Sequence, residues 1–212
     1  MIRFERSHQH LAVGIATLAG FVDAIGFVES AGFFVSFMTG NSTRLAVGLA
    51  QWQGAAAIAG GIIIMFVAGV VAGALVAARS GPRQSRIVLA SVAVLLAAAI
   101  GLRLALPGWP PVLCLAFAMG AVNAALPARN GTIVGVTYMT GTLVQLGHKI
   151  ANALRGGDDG RWLGHLLLWG ALVAGAIVGA RTVLWSAPAA YGLAAAFAAA
   201  LAWRAGKVAH AG

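Results

Sequence analysis

The chain has 212 residues, of which 60% are apolar and only 9% charged, whereas about a quarter of the residues of a soluble domain are charged. This composition excludes an ordinary soluble globular protein. Fourteen Lys and Arg residues against five Asp and Glu residues give a formal net charge of +9. The cations stand singly or in short clusters between long apolar runs, so we expect them to report membrane topology, and we expect no nucleic-acid partner.

Six stretches of the sequence are apolar and long enough, or nearly so, to cross a bilayer as helices, which takes about 20 residues. In chain order they cover residues 11–28, 55–78, 87–106, 112–126, 163–185 and 188–203. Two further segments, 33–49 and 132–150, are apolar at their edges but polar at their centres. If these two segments enter the membrane and return, the chain has six spans, and if they cross it, the chain has eight.

The distribution of cations favours six spans with both termini in the cytoplasm. Six spans make eleven of the fourteen cations cytoplasmic, namely Arg3, Arg6, Arg79, Arg83, Arg86, Arg129, Lys149, Arg155, Arg161, Arg204 and Lys207. Eight spans leave eight cations inside and five outside, with Arg44 in the membrane. Because the excess of Arg over Lys and the many Ala and Gly residues are typical of a bacterial chain, we expect a multi-pass protein of the bacterial inner membrane.

An internal repeat relates the two halves of the chain. Residues 20–24 (GFVDA) align with residues 120–124 (GAVNA), and residues 36–41 (SFMTGN) align with residues 137–142 (TYMTGT). A G-x-x-x-G pair follows in each half, at Gly69/Gly73 and at Gly175/Gly179. We therefore predict one all-α integral membrane domain made of two repeats, 1–106 and 107–212, each with three spans and a broken or re-entrant segment.

The repeat also predicts the position of a substrate site. Three spans is an odd number, so the two repeats are inserted with opposite orientations, and in many transporters such inverted repeats bring broken helices together near the membrane midplane. A helix that begins within the membrane directs free N–H groups and a positive dipole end at an anion or a carbonyl oxygen. The predicted substrate-binding residues are Thr39, Gly40, Asn41, Arg44, Asn123, Thr140, Gly141 and Thr142. The alternative is a packed helix crossing in which small residues permit close approach.

Two acidic residues, Asp23 and Glu29, lie within or at the end of an apolar run. Burial of a carboxylate in a membrane costs about 2.5 to 3.5 kcal/mol on insertion scales, so such a residue needs a partner or a proton. We predict that both take part in ion or proton coupling, Asp23 foremost. The alternatives are that Asp23 only pairs with Arg44 or with exposed backbone amides, and that Glu29 is a solvated interfacial residue.

The sequence offers no sign of enzymatic chemistry. The single cysteine, Cys114, lies in an apolar run, so a Cys-based zinc site is unsupported. The chain contains no P-loop, G-x-S-x-G or H-E-x-x-H signature. We expect no catalytic residues, no cofactor and no bound metal.

The segment Gly20-Phe21-Val22-Asp23-Ala24, followed by Phe37-Met38-Thr39-Gly40-Asn41, resembles the signature of the YoaK-like family of small bacterial multi-pass membrane proteins. The resemblance covers most of the chain in length and span number, and its motif lies in the first repeat. It implies the membrane architecture and singles out Asp23, Thr39, Gly40 and Asn41, but it implies no substrate.

These observations together predict a secondary transporter or channel for a small polar solute or ion. Its expected partners are the lipid bilayer and that solute, and a homo-oligomer is possible. The alternative is a membrane scaffold or sensor whose buried polar residues only pack the helices.

Overall fold

The computed structural model describes residues 2–106, 108–127, 137–157 and 161–209, and within these ranges it contains helices and no strand. The helices are α1 (Ile2–Glu29), α2 (Met38–Ala50), α3 (Ala55–Ser80), α4 (Gln84–Ala105), α5 (Trp109–Val122), α6 (Met139–Leu154), α7 (Arg161–Trp185) and α8 (Ala187–Ala209). A single 3-10 turn, Gly81–Arg83, joins α3 to α4. The predicted all-α fold class is confirmed.

Three apolar stretches of the described chain are long enough to cross a membrane. They are Gln9–Glu29, Ala55–Ala105 and Trp162–Trp185, and the second of these, 51 residues long, contains both α3 and α4. At 1.5 Å per residue, 26 residues of α3 and 22 of α4 each extend more than about 30 Å, the thickness of the hydrocarbon core. The apolar helix α5 is shorter, with 14 residues.

Two boundaries differ from the predicted ones. The fourth predicted span, 112–126, is helical only to Val122, because Asn123, Ala124 and Ala125 donate their N–H groups three residues back in a tighter turn. In the segment predicted as 33–49, residues 33–37 are non-helical and α2 begins at Met38. Arg129 and the first residues of the segment predicted as 132–150 lie outside the described part of the chain.

Two extensive helix contacts join the two halves of the chain through glycines. In the first pair, α1 packs against α7, and a Cβ on Gly20 would lie 2.0 Å from the carbonyl oxygen of Leu172. In the second pair, α5 packs against α3, and a Cβ on Gly120 would lie 2.0 Å from the carbonyl oxygen of Phe66. Since only hydrogen fits in these gaps, glycine is required at both crossings.

The G-x-x-x-G pairs lie on the other side of the same crossings. A Cβ on Gly69 or Gly73 would meet the backbone of Phe117 or Ala121, and a Cβ on Gly175 or Gly179 would meet that of Thr17 or Phe21. In each pair, contacts advance along both helices together, so α1 is parallel to α7 and α3 is parallel to α5. These four glycines therefore pack against helices of the same chain.

Candidate functional site

A buried carboxylate holds the chain where it leaves the first helix. Asp23 lies in α1 with 4% of its surface accessible. Its Oδ1 accepts hydrogen bonds from the backbone N–H groups of Val35 and Ser36, both at 2.8 Å, and from the Ser36 hydroxyl at 3.0 Å. Because residues 33–37 are non-helical, these N–H groups have no carbonyl partner within a helix of their own. The carboxylate of Asp23 accepts their hydrogen bonds instead. The chain thus returns to the level of Asp23, about 9 Å along α1 from its end at Glu29.

The second half of the chain repeats this arrangement with an amide. Asn123 Oδ1 accepts from the Thr137 hydroxyl at 2.9 Å and from the Thr137 N–H at 3.4 Å. Its Nδ2 donates to the carbonyl oxygen of Met119 at 2.9 Å. Asn123 and Thr137 are the positions that align with Asp23 and Ser36, so the sequence repeat is also a repeat of contacts.

Asn41 makes a further connection in the first half. Its side chain is completely buried, its Oδ1 accepts from the N–H of Phe34 at 3.0 Å, and its Nδ2 donates to the carbonyl oxygen of the same residue. One amide side chain therefore satisfies both polar groups of one residue in the interrupted segment. The aligned residue Thr142 is half-buried, and its hydroxyl donates to the Tyr138 carbonyl at 3.3 Å, within its own helix turn.

The Thr-Gly segments lie in the first turns of α2 and α6 and not at their caps. The cap residues are Phe37 and Tyr138, and neither makes a side-chain capping bond. Thr39 and Thr140 are exposed. A Cβ on Gly40 would meet the Phe34 ring at 3.0 Å, and a Cβ on Gly141 would meet the Tyr138 ring. The two glycines thus give aromatic side chains room against the helix starts.

The structure does not bring the two helix starts together. No residue of α2 lies within 8 Å of a described residue of α6, measured between Cα atoms; α2 packs against α3 and α6 against α7. Arg44 is exposed and lies over the Phe33 ring, 4.9 Å from its centroid. Asp23 accepts its hydrogen bonds from backbone N–H groups and a serine hydroxyl. This arrangement agrees with the alternative in which the Asp23 carboxylate pairs with exposed backbone amides.

Glu29 belongs to a second polar cluster, which the sequence did not predict. It forms an ion pair with Arg103 at the end of α4, the only salt bridge among the described residues. The Tyr191 hydroxyl is buried within electrostatic reach of both and has no hydrogen-bond partner in the described part of the chain. These three residues join the C-terminal ends of α1 and α4 to the start of α8.

Four functional candidates escaped sequence reasoning: Ser36, Thr137, Arg103 and Tyr191. The first two could have been found, because they align in the repeat and carry hydroxyl groups next to apolar residues. Arg103 and Tyr191 are distant in sequence from Glu29, and only packing relates them. No group of three or more His, Cys, Asp or Glu side chains suited to a metal occurs among the described residues.

The arrangement as a whole offers hydrogen-bond acceptors that fix non-helical backbone, together with one carboxyl group inside an apolar helix. Long apolar helices packed through glycine crossings around such polar connections define a helical membrane protein. The chain matches, over residues 11–203, a family model described as protein of unknown function (DUF1275). It belongs to the DUF1275 family, which confirms the resemblance drawn from residues 20–24 and 37–41.

A relative supports the membrane assignment. The chain is 38% identical over 189 residues to UPF0700 transmembrane protein RA0705 of Rhizobium meliloti (strain 1021), covering 86% of this chain and 80% of that protein. No solved structure matches the chain.

Proposed function

We propose that this protein is a six-span secondary transporter or channel of the bacterial inner membrane for a small polar solute or ion, with Asp23 as the coupling residue. Its two halves, 1–106 and 107–212, would be inverted repeats. The observation that carries the proposal is a buried carboxyl group inside an apolar helix, at a place where the other half of the molecule does the same structural work with a neutral amide.

The ends of the helices support six spans over eight. In a six-span chain α1 and α4 run in the same direction, whereas in an eight-span chain they run in opposite directions. The ion pair of Glu29 and Arg103 joins the C-terminal ends of these two helices. At the other end of α4, the Arg86 side chain packs against Gly206 near the end of α8, as expected if α4 and α8 are antiparallel. With six spans, α4 and α8 must be antiparallel, and with eight they must be parallel.

The path of the chain around α2 supports a re-entrant segment. After α1 ends, the backbone at Ser36 returns to the level of Asp23. Helix α2 then runs back along α3, with Gly48 against the backbone of Ala56 at the start of α3. With 13 residues, α2 extends only about 20 Å, less than the hydrocarbon core. In the six-span arrangement α3 begins on the side where α1 ends, so the segment would begin and end on that side.

The matched pair of Asp23 and Asn123 supports a role for charge. We call the side chain that holds each interrupted segment its latch: Asp23 in the first half and Asn123 in the second. Asn123 Oδ1 does this without a charge, so a latch does not require a carboxylate. A carboxyl group is costly in an apolar helix, and its retention is explained by a proton or cation that it binds or releases. The solute would reach this region through polar groups at the helix starts, for which Thr39, Gly40, Arg44, Thr140, Gly141 and Thr142 remain the candidates.

A scaffold or sensor function is the second candidate, because one observation favours it. The side chains of Asp23, Asn41 and Asn123 all bond to their own chain, which is what a purely structural role requires. The two candidates differ in one measurable property, since only the transporter moves a solute.

The decisive experiment compares the wild type with Asp23→Asn in liposomes that contain a pH-sensitive dye. An asparagine at position 23 keeps an Oδ1 acceptor, and its Nδ2 can donate to the carbonyl oxygen of Ala19, which aligns with the Met119 acceptor of Asn123. We expect the variant to fold with nearly wild-type stability and to lose solute-driven proton movement in a screen of inorganic anions, cations and small metabolites. Wild-type proton movement by the variant would remove Asp23 from the mechanism.

Topology is tested separately by labelling. With Cys114 replaced by alanine, a cysteine at Arg83, in the turn between α3 and α4, should react only with reagents that reach the cytoplasm. Labelling of Arg83→Cys from outside intact cells would reject the six-span arrangement, whatever the transport result.

A further inference from the structure

An apolar groove opens beside the turn between α3 and α4. Its volume is about 310 Å³, and its walls come from α3, α4 and α5: Ala72, Gly73, Val76, Val88, Ser91, Leu95 and Phe117 are among the lining residues. The hydroxyl of Ser91, the polar side chain in this lining, donates to the Ile87 carbonyl at 3.0 Å. The groove therefore offers its occupant almost no hydrogen-bonding group, which suits a hydrocarbon chain and not a polar solute.

Exposed arginines lie at one end of the groove. Arg79 is in the last turn of α3 and Arg83 in the 3-10 turn that follows. Both are exposed, and neither has a carboxylate within 4.0 Å in the described part of the chain. Arg79 donates one bond to the Leu75 carbonyl, 3.3 Å away, which leaves its other guanidinium N–H groups directed at the surroundings.

The distances along the helices fit one leaflet of a bilayer. On α3 the groove lies about 5 to 10 Å from Arg79, and on α4 it lies about 6 to 16 Å from the start of the helix at Gln84. One leaflet of the hydrocarbon core is about 15 Å thick. A phospholipid whose phosphate contacts the arginines would thus place an acyl chain in the groove.

We infer that this groove binds an anionic phospholipid, with the acyl chain against α3, α4 and α5 and the headgroup phosphate at Arg79 and Arg83. The second half of the chain has no arginine at the corresponding turn, because α7 ends at Trp185 and Ser186 alone separates it from α8. A second copy of the chain is a poorer occupant, since it would bring a further net charge of +9 towards the arginines.

The test measures lipid binding to the full-length protein in detergent by native mass spectrometry. The probes are phosphatidylglycerol and phosphatidylcholine with identical acyl chains, and inorganic phosphate. We expect phosphatidylglycerol to bind about 25-fold more tightly than phosphatidylcholine, because each cation beside an anionic headgroup contributes about fivefold in affinity. Equal binding of the two lipids, or binding of inorganic phosphate as tight as that of phosphatidylglycerol, would overturn the inference.

Three variants separate the headgroup from the acyl chain. The double variant Arg79→Gln/Arg83→Gln should lose about 25-fold in affinity for phosphatidylglycerol and keep its affinity for phosphatidylcholine. The control Arg155→Gln/Arg181→Gln, which removes the same charge from two other exposed positions, should bind both lipids as the wild type does. Ser91→Phe, which fills the groove from a half-buried position in its wall, should weaken both lipids.

Two outcomes would contradict the assignment. A double variant that retains its preference for phosphatidylglycerol would show that the arginines do not bind the headgroup. A Ser91→Phe variant that changes the oligomeric state and not lipid binding would show that the groove belongs to an interface between copies.

Discussion

The two interrupted segments solve the same problem with different chemistry. In the first half, a carboxylate accepts three hydrogen bonds and Asn41 fixes the peptide groups of Phe34. In the second half, Asn123 accepts two bonds from Thr137, one of them long, and Thr142 lies where Asn41 would be. Non-helical backbone can therefore be held in this fold by a neutral amide. The first half has a carboxyl group at Asp23 where the second has an amide, and an amide at Asn41 where the second has the hydroxyl of Thr142. Variants that exchange or remove these matched residues measure how much each difference contributes to stability.

The largest effect is expected at the feature that the halves share, their glycine crossings. Gly20→Ala and Gly120→Ala each place a Cβ 2.0 Å from a backbone carbonyl oxygen, so the paired helices must separate. We expect each substitution to destabilise the protein by about 3 kcal/mol or more and to remove the monodisperse peak in size-exclusion chromatography.

The control for this prediction uses helical glycines that face open space. A Cβ on Gly101 or Gly192 meets nothing within 4 Å. The change to alanine at these positions should leave the thermal midpoint unchanged or raise it, because alanine is the better helix former by about 1 kcal/mol. A tolerated Gly20→Ala together with a damaging Gly120→Ala would show that the crossings are not equivalent.

The next largest effect distinguishes the two latches. Asp23→Ala leaves two backbone N–H groups and a hydroxyl without their acceptor, and each unsatisfied buried group costs about 1 to 3 kcal/mol. Among the bonds between described residues, Asn123→Ala removes one good and one long bond from Thr137 and the Nδ2 bond to the Met119 carbonyl. We expect losses of about 3 and about 1.5 kcal/mol respectively, measured by unfolding in mixed micelles. Equal losses would mean that the extra donors to Asp23 contribute nothing.

Much of this fold could be predicted from sequence, because the signals are local. Apolar runs located α1, α3, α4, α7 and α8, and self-similarity located the matched pairs of glycines and polar residues. The partners of the polar residues could not be predicted. A carboxyl group in an apolar run requires a partner, but sequence spacing does not distinguish Arg44, forward in the chain, from the N–H groups of Val35 and Ser36. Likewise, the sequence predicted a broken helix within 33–49 but not the residue at which it resumes, which is Met38.

The contribution of the Asn41 side chain to stability can be tested by exchanging Asn41 with the aligned residue, Thr142. Asn41→Thr removes the partners of both the N–H and the carbonyl of Phe34, so we expect a loss of about 2 to 3 kcal/mol. The reciprocal Thr142→Asn replaces a half-buried residue whose hydroxyl makes only a weak bond within its own turn, and its effect should lie within about 0.5 kcal/mol. Thermal unfolding of both variants measures the difference, and a large effect of Thr142→Asn would indicate a second contact of the Asn41 type.

The last prediction concerns the charge of Asp23, measured as a difference of about 1 kcal/mol between two backgrounds. Ser36→Ala leaves Asp23 with two short N–H bonds, whereas Thr137→Val leaves Asn123 Oδ1, among donors in the described residues, with the N–H of residue 137 at 3.4 Å. A hydroxyl bond to a charged acceptor contributes about 1.5 to 3 kcal/mol and one to a neutral acceptor about 0.5 to 1.5 kcal/mol. We therefore expect Ser36→Ala to cost about 1.5 to 3 kcal/mol and Thr137→Val to cost about 0.5 to 1.5 kcal/mol.

Repeating Ser36→Ala in the Asp23→Asn background turns the comparison into a double-mutant cycle. A hydroxyl donates a stronger hydrogen bond to an ionised acceptor than to a neutral amide, so with a charged Asp23 the Ser36→Ala substitution should cost about 1 kcal/mol less when position 23 is asparagine. If the cost is the same in both backgrounds, the two latches are electrostatically alike, and the carboxyl group adds no charge to the folded protein.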